Sequence, residues 1–233
     1  MNISVCLTTF NRTDLLYESI AQVLDDPRIY EFIISDDCSD MAIFNEIVSH
    51  YKDHDKVKIF RNQENRDCYL NKCCAIERAA SEWCILFDSD NVLTKEYIDR
   101  IENLIIAGVN PKMVYQPDFA KPHFDFQKFD GVVVNKNNIS NFIGDSSFQV
   151  MLNAMNYFVN REQYLKVFDR SVDPVTSDSI FHNYNWLKAG NSIYVVPSLS
   201  YFHRIHDGSH YRNNVSRTPQ NFHHEILDKL RSL

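Results

Sequence analysis

The chain has 233 residues, 44% hydrophobic and 24% charged, which is the composition of a globular protein with enough chain for one sizeable core or a core plus a small subdomain. Five Gly and seven Pro exclude low complexity and long flexible linkers. A net charge of -7, with no Lys/Arg block, argues against a nucleic-acid or anionic-membrane surface, although an acidic protein can still take a phosphorylated ligand if a metal supplies positive charge.

Met1 runs almost at once into the strand-like "ISVCLTTF", so no ordinary signal peptide is expected. Leu16, Ile20, Val23 and Leu24 then fall on one helical face, with Asn11 or Thr13 as cap and Pro27 beyond the end. "EFIISDD" reads as a second strand, and Ile43, Phe44, Ile47, Val48 and Tyr51 as a second helical stripe. "KVKIF" is a third strand, Asp67 to Ala80 a third helix, and "WCILF" a fourth strand. Thr94 should cap a helix carrying Ile98, Ile101, Leu104 and Ile105, which Gly108 ends. From Pro117 the alternation breaks. "QPDFAKPHFDFQKFDG" reads as a surface loop or hairpin able to carry ligand contacts. "NAMNYFVN" is a strand, "REQYLKVF" a helix, Ser177 to Ala189 a helix ended by Gly190, and "SIYVVP" a last strand. The tail "NFHHEILDKLRSL" is amphipathic and expected to pack on its own domain.

Strands alternating with helices predict an α/β fold with a mostly parallel sheet flanked by helices, and ligands in such sheets bind at the carboxyl ends of the strands. "TTFNR", "SDDCSD" and "FDSDN" each follow a strand's apolar run, so all three should meet on one edge. In "FDSDN", Asp88 and Asp90 repel each other unless a cation lies beside them; Mg²⁺ or Mn²⁺ bound with phosphate is one solution, and a solvated turn is the plain alternative. The six cysteines lack C-x-x-C spacing and read as buried reduced thiols in a cytoplasmic protein, with zinc disfavoured.

The order "TTFNR", "SDDCSD", "FDSDN", "SDSIFHNYNWLKAG", "YVVPSLSYFHRIHDGS" resembles the GT-A-fold glycosyltransferases of family 2, over about Asn2 to Ser209. The resemblance implies one GT-A domain over 1–215, with a nucleotide-binding half (1–116) and an acceptor-side catalytic half (117–215) that is smaller and mixed, then an amphipathic helix over 216–233. It implies an inverting transferase using a nucleotide-diphosphate sugar, UDP-linked because a carboxylate suits the uracil N3–H. Thr8, Phe10 and Arg12 would wrap the nucleotide, with core packing as the plain alternative for Phe10. Asp37, with Asp36 in reserve, would read the base, while Ser39 and Asp40 could merely cap the next helix. Asp88 would contact ribose or a metal-bound water, Ser89 would sit with the donor, and Asp90 would ligate Mn²⁺ or Mg²⁺.

Between Asn65 and Asn71 the chain departs from the family's glycine-rich segment with its arginine-asparagine pair. Lys72 or Arg66 are candidates there for the diphosphate, against the commoner role of surface charge. Asp178 is the implied catalytic base, against a plain N-cap, with Asp173 or Asp145 as fallbacks. His203 or His206 would reach the metal, Arg204 and Ser209 the phosphates, and Asn156 and Tyr157 either line the cleft or pack. Acceptor specificity is expected in Pro117 to Ser147. The resemblance further implies a saccharide, lipid-linked saccharide or protein acceptor, a setting in bacterial glycan assembly, and a location in the cytoplasm or at the inner membrane face, with a homodimer left open. A dehalogenase-type phosphohydrolase would need its aspartate pair on the first strand, and a nucleotidyltransferase a glycine-rich loop that this chain lacks before Gly108. A nucleotide-sugar-binding protein without turnover stands as the alternative.

Overall fold

The computed structural model describes residues 2–172, 177–207 and 221–233. Strands β1 (Ile3–Thr9), β2 (Ile29–Asp36), β3 (Val57–Arg61) and β4 (Trp83–Asp88) pair in parallel in the order β3-β2-β1-β4. Helices α1 (Asp14–Ile20), α2 (Met41–His50) and α3 (Asp67–Arg78) connect them. Val5, Cys6, Leu7, Phe32, Ile33, Ile34 and Cys84 to Phe87 are fully buried, which is why these strands read as continuous apolar runs: helices cover both faces.

The register fixes the site. Thr8 lies opposite both Ser35 and Asp88, and Thr9 opposite Asp36, so the three motif-bearing strand ends stop level with one another. After α4 (Lys95–Ala107), the sheet continues with β5 (Met113–Lys121), β6 (Phe124–Asp125), β7 (Val133–Val134), β8 (Phe158–Asn160) and β9 (Ser192–Phe202). The nine strands form one sheet in the order β3-β2-β1-β4-β8-β5-β9-β7, with β6 on β5. β8 is antiparallel to both of its neighbours, and β5 and β9 are parallel.

Three expectations need correction. The irregular segment begins later than Pro117, because β5 runs through that proline to Lys121. The β5–β9 register slips between Pro117 and Phe119, and such a bulge accommodates a residue without an N–H donor. The strand expected in "NAMNYFVN" shrinks to three residues, and the last strand extends past Pro197 to Phe202. A short helix, α5 (Ser146–Leu152), was not legible in the sequence; Asp145 caps it by accepting from the Ser147 amide at 2.8 Å.

The α2 stripe is narrower than its sequence suggests, with Ile47 buried but Val48 exposed. Helices α6 (Arg161–Val167) and α7 (Asp178–Lys188) match expectation, and α8 (Phe222–Arg231) buries Ile226, Leu227 and Leu230, with Phe222 packed on Phe181 of α7. No helix of the described residues is long and apolar enough to cross a membrane.

Thr94 caps α4 as its sequence predicts, its Oγ1 accepting from the Tyr97 amide at 3.3 Å, and Gly108 ends the helix at φ 101°. Thr94→Ala should therefore cost about 1 kcal/mol in a urea melt, with the m-value unchanged.

Candidate active site

The first motif loop leaves β1 with Asn11 in the left-handed region at φ 48°. Its backbone N–H donates to Ser39 Oγ and its side chain accepts from the Asp40 amide, both at 2.8 Å. These bonds lace the first two motif loops together. Phe10 is 42% exposed, so core packing does not explain it, and its ring is open to a ligand. Thr8 is half-buried at the strand end.

The two aspartates of "SDD" are sorted by their partners. Asp36 is fully buried and accepts from the Ser39 hydroxyl and amide, a structural role that secures the turn. Asp40 holds the N-cap position of α2, but its side chain makes no capping bond. Asp37 accepts from Asn62 Nδ2 and from the Arg66 amide at 2.9 Å each. Both bonds fall on Oδ1, and Oδ2 takes neither of them. Behind Asp37, Arg78 donates to Ser35 Oγ at 2.7 Å and Asn62 Oδ1 at 2.9 Å, and Asn71 joins Ser35 to Asn62. This buried network was missed in the sequence. It has no local signature, because its members come from β2, α3 and the loop between β3 and α3. Burial pushes the Asp37 carboxyl up to about 6, against the pull of its two hydrogen bonds.

The "DSD" turn places its acids in different surroundings. Asp88 is clamped by Asn156, whose Oδ1 accepts from the Asp88 amide at 2.8 Å and whose amide faces Oδ2 at 3.4 Å. Tyr97 in turn donates to the Asn156 carbonyl at 2.8 Å. Asn156 is itself buried and positions Asp88 from behind, while Tyr157 is fully buried and packs. Ser89 is also fully buried, which removes it from direct donor contact and corrects its expected role. Asp90 Oδ2 is met by Arg12 Nη1 at 2.9 Å and by His206 Nε2 at 3.1 Å. Burial pushes the Asp90 carboxyl up, but the His206 hydrogen bond and the Arg12 charge outweigh it and hold the group at about 2.

Lys72 lies between the two halves of the site. Its Nζ is 2.7 Å from Asp178 Oδ2 and 3.2 Å from Asp88 Oδ1. The expectation of a surface lysine is overturned, since its side chain is only 6% exposed. The reason is helical geometry: Lys72 shares the inward face of α3 with Tyr69 and Ile76, at spacings of three and four. Burial pulls the ammonium down, and the Asp178 and Asp88 charges more than restore it. Burial likewise raises Asp88, with Lys72 opposing. Arg66 keeps the surface role, half-exposed and near Glu64.

Asp178 is the first residue of α7 rather than its cap. Ser177 holds the cap position without a capping bond, and the Asp178 carboxylate turns to Lys72 instead. Of the fallbacks, Asp145 caps α5 and pairs with Lys128 at 2.6 Å, and Asp173 lies outside the described residues, as does Ser209.

The loop after β9 completes the cleft. Arg204 donates to the carbonyl of Asp90, to the carbonyl of Leu15 at 2.6 Å and to Glu18 at 2.5 Å. Its guanidinium is a strap between loops, which corrects the expected phosphate role. His206 touches Asp90 directly, whereas His203 packs edge-on against Phe124, with ring centroids 5.1 Å apart, and its Nδ1 is buried without a hydrogen-bond partner among the described residues. Burial lowers the His203 imidazole. A groove of about 200 Å³ opens on the other side of Phe124, lined by His123, Phe124, Asp125, Phe126, Ser146, Ser147 and Val150.

No group of three or more His, Cys, Asp or Glu among the described residues is placed to hold a metal by itself. Asp90 and His206 still fit a divalent ion that draws its other ligands from a diphosphate and water. An imidazole beside a carboxylate suits Mn²⁺ better than Mg²⁺, which favours oxygen ligands.

Residues 4–137 match the model of the family described as Glycosyl transferase family 2. No curated protein matches the chain. Among solved structures, S. aureus TarS 1–349 in complex with UDP-GlcNAc superposes with a TM-score of 0.70 at 17% identity, covering 91% of this chain and 61% of that one. The same TarS fragment with UDP gives 0.66 at 17% identity, over 99% of this chain and 64% of that one. The chain therefore spans about three fifths of the TarS fragment's length, and at this identity the likeness is one of fold. The family match covers more than half of the chain and coincides with the strand ends that carry the acidic motifs, so this protein belongs to glycosyl transferase family 2.

Proposed function

We infer that this protein transfers a sugar from a UDP-linked donor to an acceptor hydroxyl with inversion. The observation that carries the reading is the convergence of Asp178 with Asp88 on Lys72, at 2.7 and 3.2 Å: the acid from the acceptor-side half sits within one ammonium group of the donor motif. Asp37 Oδ2 would accept the uracil N3–H, Phe10 would cover the base, and Arg12 and His206 would face the donor beside Asp90. Asp178 takes the proton of the acceptor hydroxyl as that oxygen forms its bond to the anomeric carbon. The bond from that carbon to the diphosphate opens on the opposite face, and its electron pair leaves with the diphosphate. No covalent enzyme intermediate is needed. A divalent ion held by Asp90 and His206 supplies positive charge to the departing diphosphate when bound. The groove beside Phe124 offers aromatic faces, a carboxylate and two serine hydroxyls, which suit a saccharide acceptor. Bacterial glycan assembly fits this chemistry, and the TarS structures, with UDP and UDP-GlcNAc bound, support the choice of a uridine donor.

A screen of nucleotide sugars for nucleotide release, with Mn²⁺ and then with EDTA, tests the reading. Release from a UDP-sugar in Mn²⁺ that EDTA abolishes is the expected result. Binding of UDP-sugars with no release from any donor would favour the binding protein without turnover.

Base reading by Asp37 has its own signature in pH. The carboxylate accepts the N3–H only when ionised, and its folded pKa of about 6 places that change above the ordinary carboxylate range. Uridine, which carries no phosphate to titrate in this range, should bind several-fold more weakly at pH 5 than at pH 7.5. In Asp37→Asn that difference should vanish in an NMR titration.

A further inference from the structure

We propose that Lys72 is a positioning residue that couples the catalytic base to the donor motif. Its ammonium group fixes the Asp178 carboxylate by Oδ2 and ties it to Asp88, leaving Asp178 Oδ1 to take the acceptor's proton. This rests on Asp178 serving as the base.

Three observations carry it. The bridge joins groups 106 residues apart in the chain, from α3 to the start of α7, and reaches β4 with a second contact. Asp178 Oδ2 is occupied by Lys72 at 2.7 Å, whereas Oδ1 faces the Ser179 hydroxyl at the long distance of 3.5 Å. The side chain is also costly where it stands. A buried ion cluster of this kind is seldom more stable than well-packed apolar residues of equal volume, and its neighbours on the same face of α3, Tyr69 and Ile76, are apolar or aromatic. A stability role therefore leaves the choice of lysine unexplained, and a role in arranging two carboxylates accounts for it.

The bridge has a chemical consequence. Asp88, Lys72 and Asp178 together carry one net negative charge before reaction and none after Asp178 has taken the proton. The negative charge leaves with the acceptor oxygen's electron pair, which becomes the new bond to the anomeric carbon, and ends on the departing diphosphate. The ammonium group itself neither gives nor takes a proton. It holds the base in one orientation relative to the donor, a condition that a small misplacement breaks.

Lys72→Met and Lys72→Arg test this, with UDP release from UDP-GlcNAc in Mn²⁺, water serving as acceptor, and with UDP binding by calorimetry. Lys72→Met should lower kcat ~10²-fold while donor KM and UDP affinity stay within about threefold, because the residue acts through Asp178 rather than on the phosphates. Lys72→Arg keeps the charge in a different shape and should recover about tenfold of the loss. A wild-type kcat in Lys72→Met overturns the proposal. So does a tenfold loss of UDP affinity in either variant, which would make Lys72 a diphosphate ligand.

If Lys72→Met fails to fold, Lys72→Arg decides alone. Reduced kcat at unchanged donor KM supports the coupling, and wild-type values for both assign Lys72 to holding the fold. Asp178→Asn, measured alongside, keeps the two readings apart. Near wild-type turnover in Asp178→Asn removes the base itself, whereas an inactive Asp178→Asn beside an unimpaired Lys72→Met removes only the coupling.

Discussion

Asp178→Asn is expected to lower turnover ~10²–10⁴-fold while donor affinity stays near wild type, the range that positioned proton transfer contributes. A base acts on the acceptor as the transition state forms, so its loss appears in kcat rather than in donor binding. A helix-capping role predicts the opposite pattern, a loss of stability with intact chemistry. The geometry speaks against the capping role alone, since Asp178 follows the cap position and turns its carboxylate to Lys72 at 2.7 Å. Asparagine is close in shape and leaves Lys72 with Asp88 at 3.2 Å, so the buried ammonium group keeps a partner. The stability cost should therefore be that of one charged hydrogen bond, about 1–3 kcal/mol, and not that of an unpaired buried charge. Single-turnover rates, donor calorimetry and a thermal melt on the same preparation check all three. Near wild-type turnover would exclude Asp178 as the base.

The second large effect is expected at Asp90. Asp90→Ala should weaken UDP binding at least ~10-fold in Mn²⁺ and make the remaining affinity indifferent to EDTA, because it removes the carboxylate of a two-residue metal site. In wild type, calorimetry with Mn²⁺ and with EDTA should differ by a similar factor. Arg12 and His206 both lose their partner in the variant. The freed positive charge of Arg12 draws phosphate without metal, so the residual affinity should fall with added salt. Equal UDP affinity for wild type in Mn²⁺ and in EDTA would sink the metal reading.

The parallel half of the fold was readable in the sequence because β1, β2 and β4 are buried on both faces, the edge strand β3 alternates, and each helix carries an apolar stripe. The level strand ends then place the acidic motifs on one edge without further information. The other half obeys weaker local signals. β8 has three residues, too few for periodicity to speak, and α5 is a seven-residue helix whose Asp145 cap resembles any polar turn. Pro117 reads as a break because the rule against proline in strands ignores bulges, and a bulge is where it sits.

Within the site, Phe10, Arg12, Asp37 and Asp90 were legible, since each lies within a short motif on a strand end. Lys72 was misread as a surface charge, although a signal for it was present. The inward stripe of α3 brackets it with Tyr69 and Ile76, and a lysine on such a stripe signals a buried partner. The choice between His203 and His206 was beyond the sequence. Both follow β9 in irregular backbone, where sequence spacing carries no side-chain direction, and it is the His206 ring that meets Asp90.

That strap, with the other bridges, has a bearing on how the protein folds. The contacts that close the cleft join residues 78 apart for Arg12 and Asp90, 106 for Lys72 and Asp178, and 189 for Arg204 and Leu15. Closure of such long loops carries an entropy cost that local helices and the early β1–β2 pairing do not bear, so these contacts form late. The four-stranded parallel sheet and the Asp37 network are built entirely from residues that precede β9, whereas the Arg204 strap and His206 follow it. A ligand that needs both halves of the site binds only the fully folded protein and stabilises it by about 2.7 kcal/mol at a hundredfold excess over its Kd. Ligand-induced protection from proteolysis should accordingly be strongest at residues 203–207, which carry Arg204 and His206.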